Sequence, residues 1–112
     1  MRTHRRAFIL AAALFGGCAQ RATITDGAED VATWNRQLQA AVPLGTPLER
    51  ARQTMEGNGF HCVSPASHAD PLWCDKQSQG KLAVVRRRWL ATMELQGERV
   101  ATVRGNTGLI GP

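Results

Sequence analysis

The sequence predicts an α+β domain, with two N-terminal helices packed on a small antiparallel sheet of three to four strands. Three observations carry this. Before Phe60, apolar residues recur twice at helical spacing: Val31, Trp34, Leu38 and Ala41 or Val42, then Leu48, Ala51 and Met55. From Phe60 onward the period falls to two, most plainly over residues 84–95. There Val85, Trp89, Ala91, Met93 and Leu95 line one face while Arg86, Arg88, Thr92 and Glu94 line the other. Between the two regimes, Gly57 and Gly59 bracket Asn58, a helix stop that turns the chain through a left-handed position.

The first seventeen residues read as a signal peptide. Arg2, Arg5 and Arg6 precede an unbroken apolar run over 7–15, and Gly16 and Gly17 precede Cys18. The run is too short to span a bilayer. Leu14-Phe15-Gly16-Gly17-Cys18 resembles a bacterial lipobox, with Phe15 where Leu is usual, which makes Cys18 the lipidated residue. Ordinary cleavage after Ala19 is the rival reading. Acyl chains on Cys18, at roughly 0.8 kcal/mol per buried methylene, would anchor the chain without a spanning helix. Arg5-Arg6-Ala7-Phe8-Ile9-Leu10 is also similar to a twin-arginine export signal; the alternative is a basic n-region of the general route.

Removing the signal changes the charge argument. The whole chain is +5, but three of its fourteen basic residues leave with the signal. Eleven then face nine acids, a net charge of +2. The basic balance is no case for nucleic-acid binding. About ninety-five residues remain, enough for a single modest core. Trp34, Trp73, Trp89 and Phe60 are its large apolar anchors.

Residues 18–26 are expected to form the lipidated N-terminus and a polar tether, and 27–112 a single domain. Asp26-Gly27-Ala28-Glu29 offers a capping-box start for the first helix, which Pro43 ends. The short corner at Leu44-Gly45 predicts helices that are neighbours at a steep angle. Thr46 is placed to cap the second helix, with Pro47 in its first position and Glu49 reaching back to the cap. Residues 60–63 and 72–76 are strand candidates joined by a loop over 64–71, and Ser78-Gln79-Gly80 turns the chain. Residues 84–95 form the next strand. Arg87 falls on its apolar face and so must sit at an edge or snorkel past Trp89. Gln96-Gly97-Glu98 makes a hairpin and 99–104 returns. The last register stays open, because Val100 and Val103 have opposite parity. The Gly-rich tail 105–112 is expected to fold back on the sheet.

Once Cys18 is assigned to lipid, Cys62 and Cys74 are the even pair left, and in an oxidising envelope compartment they read as a disulfide. A metal site built from His61, Cys62, His68, Asp70 and Cys74 is the alternative, opposed by the opposite directions of His61 and Cys62 on one strand. No nucleophile–base–orienter group, phosphate loop or paired-carboxylate motif is visible, so no catalytic residue, cofactor or metal is expected. Arg86 and Arg88, beside Trp89, form the candidate binding patch for anionic lipid head groups or an acidic partner. The other reading is a solvated strand face that guards an edge.

The second helix opens Gly45-Thr46-Pro47 with Ala51 following and stops at Gly57-Asn58-Gly59-Phe60; Gln96-Gly97-Glu98-Arg99-Val100 closes a hairpin. In this order of elements, from Val31 to Val103, the chain resembles the small outer-membrane lipoproteins of the BamE, SmpA and OmlA type and their inhibitor-like structural relatives. The cysteine pair and the ending Gly108-Leu109-Ile110-Gly111-Pro112 depart from that pattern. The resemblance implies a lipid-anchored, non-enzymatic accessory of an envelope complex on the periplasmic face of the outer membrane. The alternative is a periplasmic inhibitor or immunity-like module that presents loop 64–71 to an extracytoplasmic enzyme.

Overall fold

The computed structural model describes residues 22–67, 69–78 and 85–111. Helices α1 (Val31–Ala41) and α2 (Leu48–Gly57) precede strands β1 (His61–Val63), β2 (Leu72–Gln77), β3 (Arg86–Gln96) and β4 (Arg99–Ile110). The strands pair in chain order, all antiparallel, as a four-stranded meander. Both helices lie on one face of it. α1 packs mainly on β4, while α2 meets β1 and the hairpin end of β4, so the helices share the sheet rather than pack on each other.

The expected stripes form the core apart from Val31, which is 46% exposed. Trp34 and Leu38 of the first helix, Val42 at its C-cap, and Ala51 and Met55 from the second are buried against Leu72, Ala91, Met93, Val100 and Val103 of the sheet. The indole of Trp34 stacks on Phe60, with ring centroids 5.6 Å apart and planes 3° from parallel. Its Nε1 donates to the Leu90 carbonyl at 2.9 Å, which satisfies the one polar atom that burying the ring would orphan. Trp89 does the same from the sheet, donating to the Ala28 carbonyl at 2.7 Å.

Several local expectations are corrected. Asp30, not Asp26, caps α1: its carboxylate accepts the Thr33 N–H at 2.8 Å, and that bond holds it below the usual carboxylate range. Asp26 instead turns back to the N–H and hydroxyl of Thr23. The packed unit therefore begins before the expected boundary at Gly27. Ile24 N–H bonds Asn58 Oδ1, and Thr25 is buried. The Thr46 hydroxyl bonds the Pro43 carbonyl, and Pro47 holds the cap position of α2 with no side-chain bond. Glu49 pairs with Arg52 instead of reaching back. The segment is extended there because it pairs with the last hairpin. Gly45 N–H donates to Val100 O at 2.7 Å, Val100 N–H to Thr46 O at 2.8 Å and Leu48 N–H to Glu98 O at 3.0 Å.

A bulge resolves the register of β4. Glu94 pairs with Thr102 but Leu95 with Val100, so Ala101 is an extra residue. Parity flips across it, and Val100 and Val103 both face the core at 2% and 8% exposure. The strand then runs past Arg104 to Ile110, pairing with β3 as far as Arg86, in place of a separate tail. Gly105 makes this possible. A Cβ there would lie 2.6 Å from the Trp34 ring, so only glycine lets α1 settle onto the strand.

Candidate functional site

The face of the sheet opposite the helices is read from the strand registers. Across the four strands, Val63, Trp73, Thr92 and Arg104 form one row and His61, Asp75, Leu90 and Asn106 the next. Gln77, Arg88 and Gly108 follow, then Arg86 and Ile110. Trp73 is 53% exposed and its neighbour Val63 is 56% exposed. Trp73 is thus not the core anchor expected of it. The signal was present in the sequence: Leu72 and Cys74 flank it, both face inward, and strand alternation sends Trp73 out.

Arg86 and Arg88 stand on this same open face, both exposed, whereas Trp89 lies on the buried side. The aromatic that shares the face with the arginines is Trp73. Arg88 bonds the Asp75 carboxylate at 3.0 Å, which leaves Arg86 and Arg104 without a carboxylate in reach among the described residues. Arg87, on the helix side, reaches past Trp89 to the Thr107 hydroxyl at 3.3 Å.

Cys62 and Cys74 are disulfide-bonded and directly opposed across β1 and β2, with Cα atoms 4.0 Å apart. The bridge clamps the base of the loop 64–71, where Ser64, Ala66, Ser67 and Ala69 are exposed. Between this loop, the start of α2 and the last hairpin lies a cleft of about 420 Å³ lined by Leu48, Arg52, Pro65 and Leu95. Arg52, the cation in it, is already paired with Glu49 and Glu56. His61 is exposed on the face opposite the disulfide, and Asp70 is half-buried in the loop. His68 lies outside the described residues. Among the described residues no three His, Cys, Asp or Glu side chains come together.

Cys18 and the signal also lie outside the described residues. Among those described, no helix is long and apolar enough to cross a membrane.

Lys76 is the half-buried cation that sequence reasoning passed over. It sits on the helix side of β2, where its Nζ donates to Thr25 Oγ1 and to Asn58 O, each at 2.9 Å. The ammonium lies 5.8 Å from the centre of the Phe60 ring and 5.9 Å from that of Trp89. Desolvation pushes it below the usual lysine value, against the pull of the Asp26 carboxylate. Its work is to join the N-terminal segment, the α2–β1 turn and the sheet. No family model, characterised protein or solved structure matches this chain.

Proposed function

We propose that this protein is a lipid-anchored, non-enzymatic envelope module that docks a protein partner on the open face of its sheet. The observation that supports it is Trp73, a large aromatic left more than half exposed on the open face of the sheet, with Val63 beside it. Exposed tryptophan with an apolar neighbour and a guanidinium rim is the composition of binding hot spots. Arg86, Arg88 and Arg104 provide that rim. The lipobox-like Leu14–Cys18 and the resemblance to small outer-membrane lipoproteins support anchoring at Cys18 on the periplasmic face, with a neighbouring envelope protein as the partner.

A photo-crosslinking side chain placed at Trp73 tests the docking. It should trap an envelope protein in intact cells, and Trp73→Ser should abolish the co-purification of that protein while leaving the melting temperature unchanged. No adduct, or adducts to lipid alone, would remove the protein-docking reading. For the anchor, Cys18→Ala should move the chain from the membrane fraction to the soluble periplasm or to uncleaved precursor. A second reading, an inhibitor-like module, is favoured by the disulfide at the base of loop 64–71, which makes that loop a preorganised projection. Crosslinks from Ser67 to a hydrolase, with none from position 73, would select it.

A further inference from the structure

The outer edge of β4 is covered in sections, and the covering stops. At its hairpin end, Gly45, Thr46 and Leu48 bond the backbone of Val100 and Glu98 as a short extra strand would. Further along, α1 takes over with side chains. Gln39 Nε2 donates to Val103 O at 3.4 Å. Asn35 Nδ2 donates to Gly105 O at 2.9 Å while its Oδ1 accepts the Gly105 N–H at 2.8 Å. Alternation then points the backbone groups of Thr107 and Leu109 the same way. The Thr107 N–H is met by the side chain of its own neighbour Asn106, at 2.9 Å. Among the described residues nothing bonds Thr107 O or either backbone group of Leu109, whose side chain is 66% exposed.

The open section has none of the devices that usually protect a strand edge. Asn106-Thr107-Gly108-Leu109-Ile110 carries no charge, no proline and no bulge. Gly108 leaves a hollow of about 230 Å³ on the open face, walled by Arg88, Leu90, Asn106 and Leu109, wide enough to seat a side chain of an added strand. Cations flank this section on both faces of the sheet. Arg104 is exposed on the open face, and the Arg87 guanidinium reaches Thr107 from the helix side. Neither has a carboxylate in reach among the described residues. A second copy of this strand would bring the same cations to its partner's edge, which disfavours self-pairing.

We infer that β4 from Asn106 to Ile110 takes up an extended acidic segment of another polypeptide as a fifth strand. Backbone bonds at Thr107 and Leu109 supply the pairing, and carboxylates on the two faces of the added strand meet Arg104 and Arg87. The site shares Arg104 with the rim of the Trp73 face, but its backbone footprint over 106–110 lies on the β4 edge, away from Trp73 on β2.

The test uses the purified full chain and a capped eight-residue peptide of glutamate, threonine and valine with carboxylates on both faces, alongside a lysine-for-glutamate control. Titration followed by backbone amide NMR should shift and protect the Leu109 N–H and its neighbours over 106–110. Arg104→Glu should weaken binding at least tenfold, roughly the loss of one charge-assisted contact. Leu109→Pro removes the outward donor and should abolish the footprint; Arg104→Glu remains informative if the proline variant does not fold. Four results would each overturn the proposal. These are no binding at millimolar peptide, equal binding of the lysine control, a footprint centred on Trp73 or loop 64–71, and a dimer of the chain alone protected at 106–110.

Discussion

The side-chain amide of Asn35 bonds both the N–H and the C=O of Gly105, so that one helix residue takes the place of a neighbouring strand. The two groups are partly buried beneath α1 and have no other partner there. Asn35→Ala should therefore cost about 2–3 kcal/mol, since each stranded buried group costs about 1–3 kcal/mol less what water recovers. Asn35→Asp keeps the acceptor but loses the donor, and should fall between. Urea unfolding of the three proteins checks this. A change below about 0.5 kcal/mol for Asn35→Ala would mean that water replaces the amide without cost.

The approach of Trp34 to the same glycine makes a sharper prediction. Gly105→Ala sets a methyl 2.6 Å from Cδ1 and Nε1 of a fully buried indole and 3.1 Å from Leu38 Cδ2. That ring is held by its stack on Phe60 and its bond to Leu90 O, so it cannot swing aside without losing both. The substitution should destabilise by about 3 kcal/mol, the upper end for overpacking. The near-ultraviolet circular dichroism of the tryptophans should weaken with it. An unchanged spectrum and midpoint would show that α1 can lift from the sheet.

How much of this was legible in the sequence follows from which terms are local. The helix stripes, the Gly59 stop, the alternation of β3 and the Cys62–Cys74 pairing depend on residues a few places apart or on a count of two. They hold in the structure, except that Val31 and Val85, placed at the head of two of these apolar faces, are exposed. What was missed depends on partners far along the chain. Thr46 has cap chemistry, but its backbone is claimed by Val100, more than fifty residues later. The glycine-rich end reads as a tail until Trp34 requires a glycine beneath it. The parity conflict of Val100 and Val103 pointed to a bulge, yet only pairing with Glu94 and Leu95 locates it at Ala101. Trp73 is different: alternation was sufficient to send it outward, and the habit of counting tryptophan as core obscured it.

Closing the loop between Cys62 and Cys74, twelve residues apart, should contribute about 3 kcal/mol by restricting the unfolded chain. Replacing both by serine should lower the melting temperature by more than about 10 °C in a domain of this size. Reductant should lower that of the parent protein alone. The sheet also holds β1, a strand of only three residues, chiefly through this bond and its pairing with β2. Amide exchange at Val63 should therefore accelerate in the serine variant before the rest of the sheet responds. A free thiol at Cys62 or Cys74 in the purified protein would contradict the pairing outright.

Lys76 gives a prediction whose sign can be worked out. Burial between Phe60 and Trp89 lowers its affinity for a proton in the folded chain, the Asp26 carboxylate only partly opposing, while the unfolded chain keeps the ordinary lysine value of 10.5. As pH rises, the native state releases this proton first. Across the window between the lowered value and 10.5 the unfolded state holds more protons, so stability from this residue rises with pH and levels off above it. Below the window the desolvation cost is full and constant. The chain has no tyrosine and Lys81 is its one other lysine, so few groups compete in that range. Lys76→Met keeps the apolar stem against the two rings but leaves Thr25 Oγ1 and Asn58 O without their donor, a loss of about 1–2 kcal/mol at neutral pH. Melting both proteins from pH 8 to 11 should show the parent gaining on the variant as pH rises. A gap that stays level or narrows would mean that the ammonium is solvated in the folded protein, and that the junction of the N-terminal segment with the sheet rests on Thr25 and Trp89 without it.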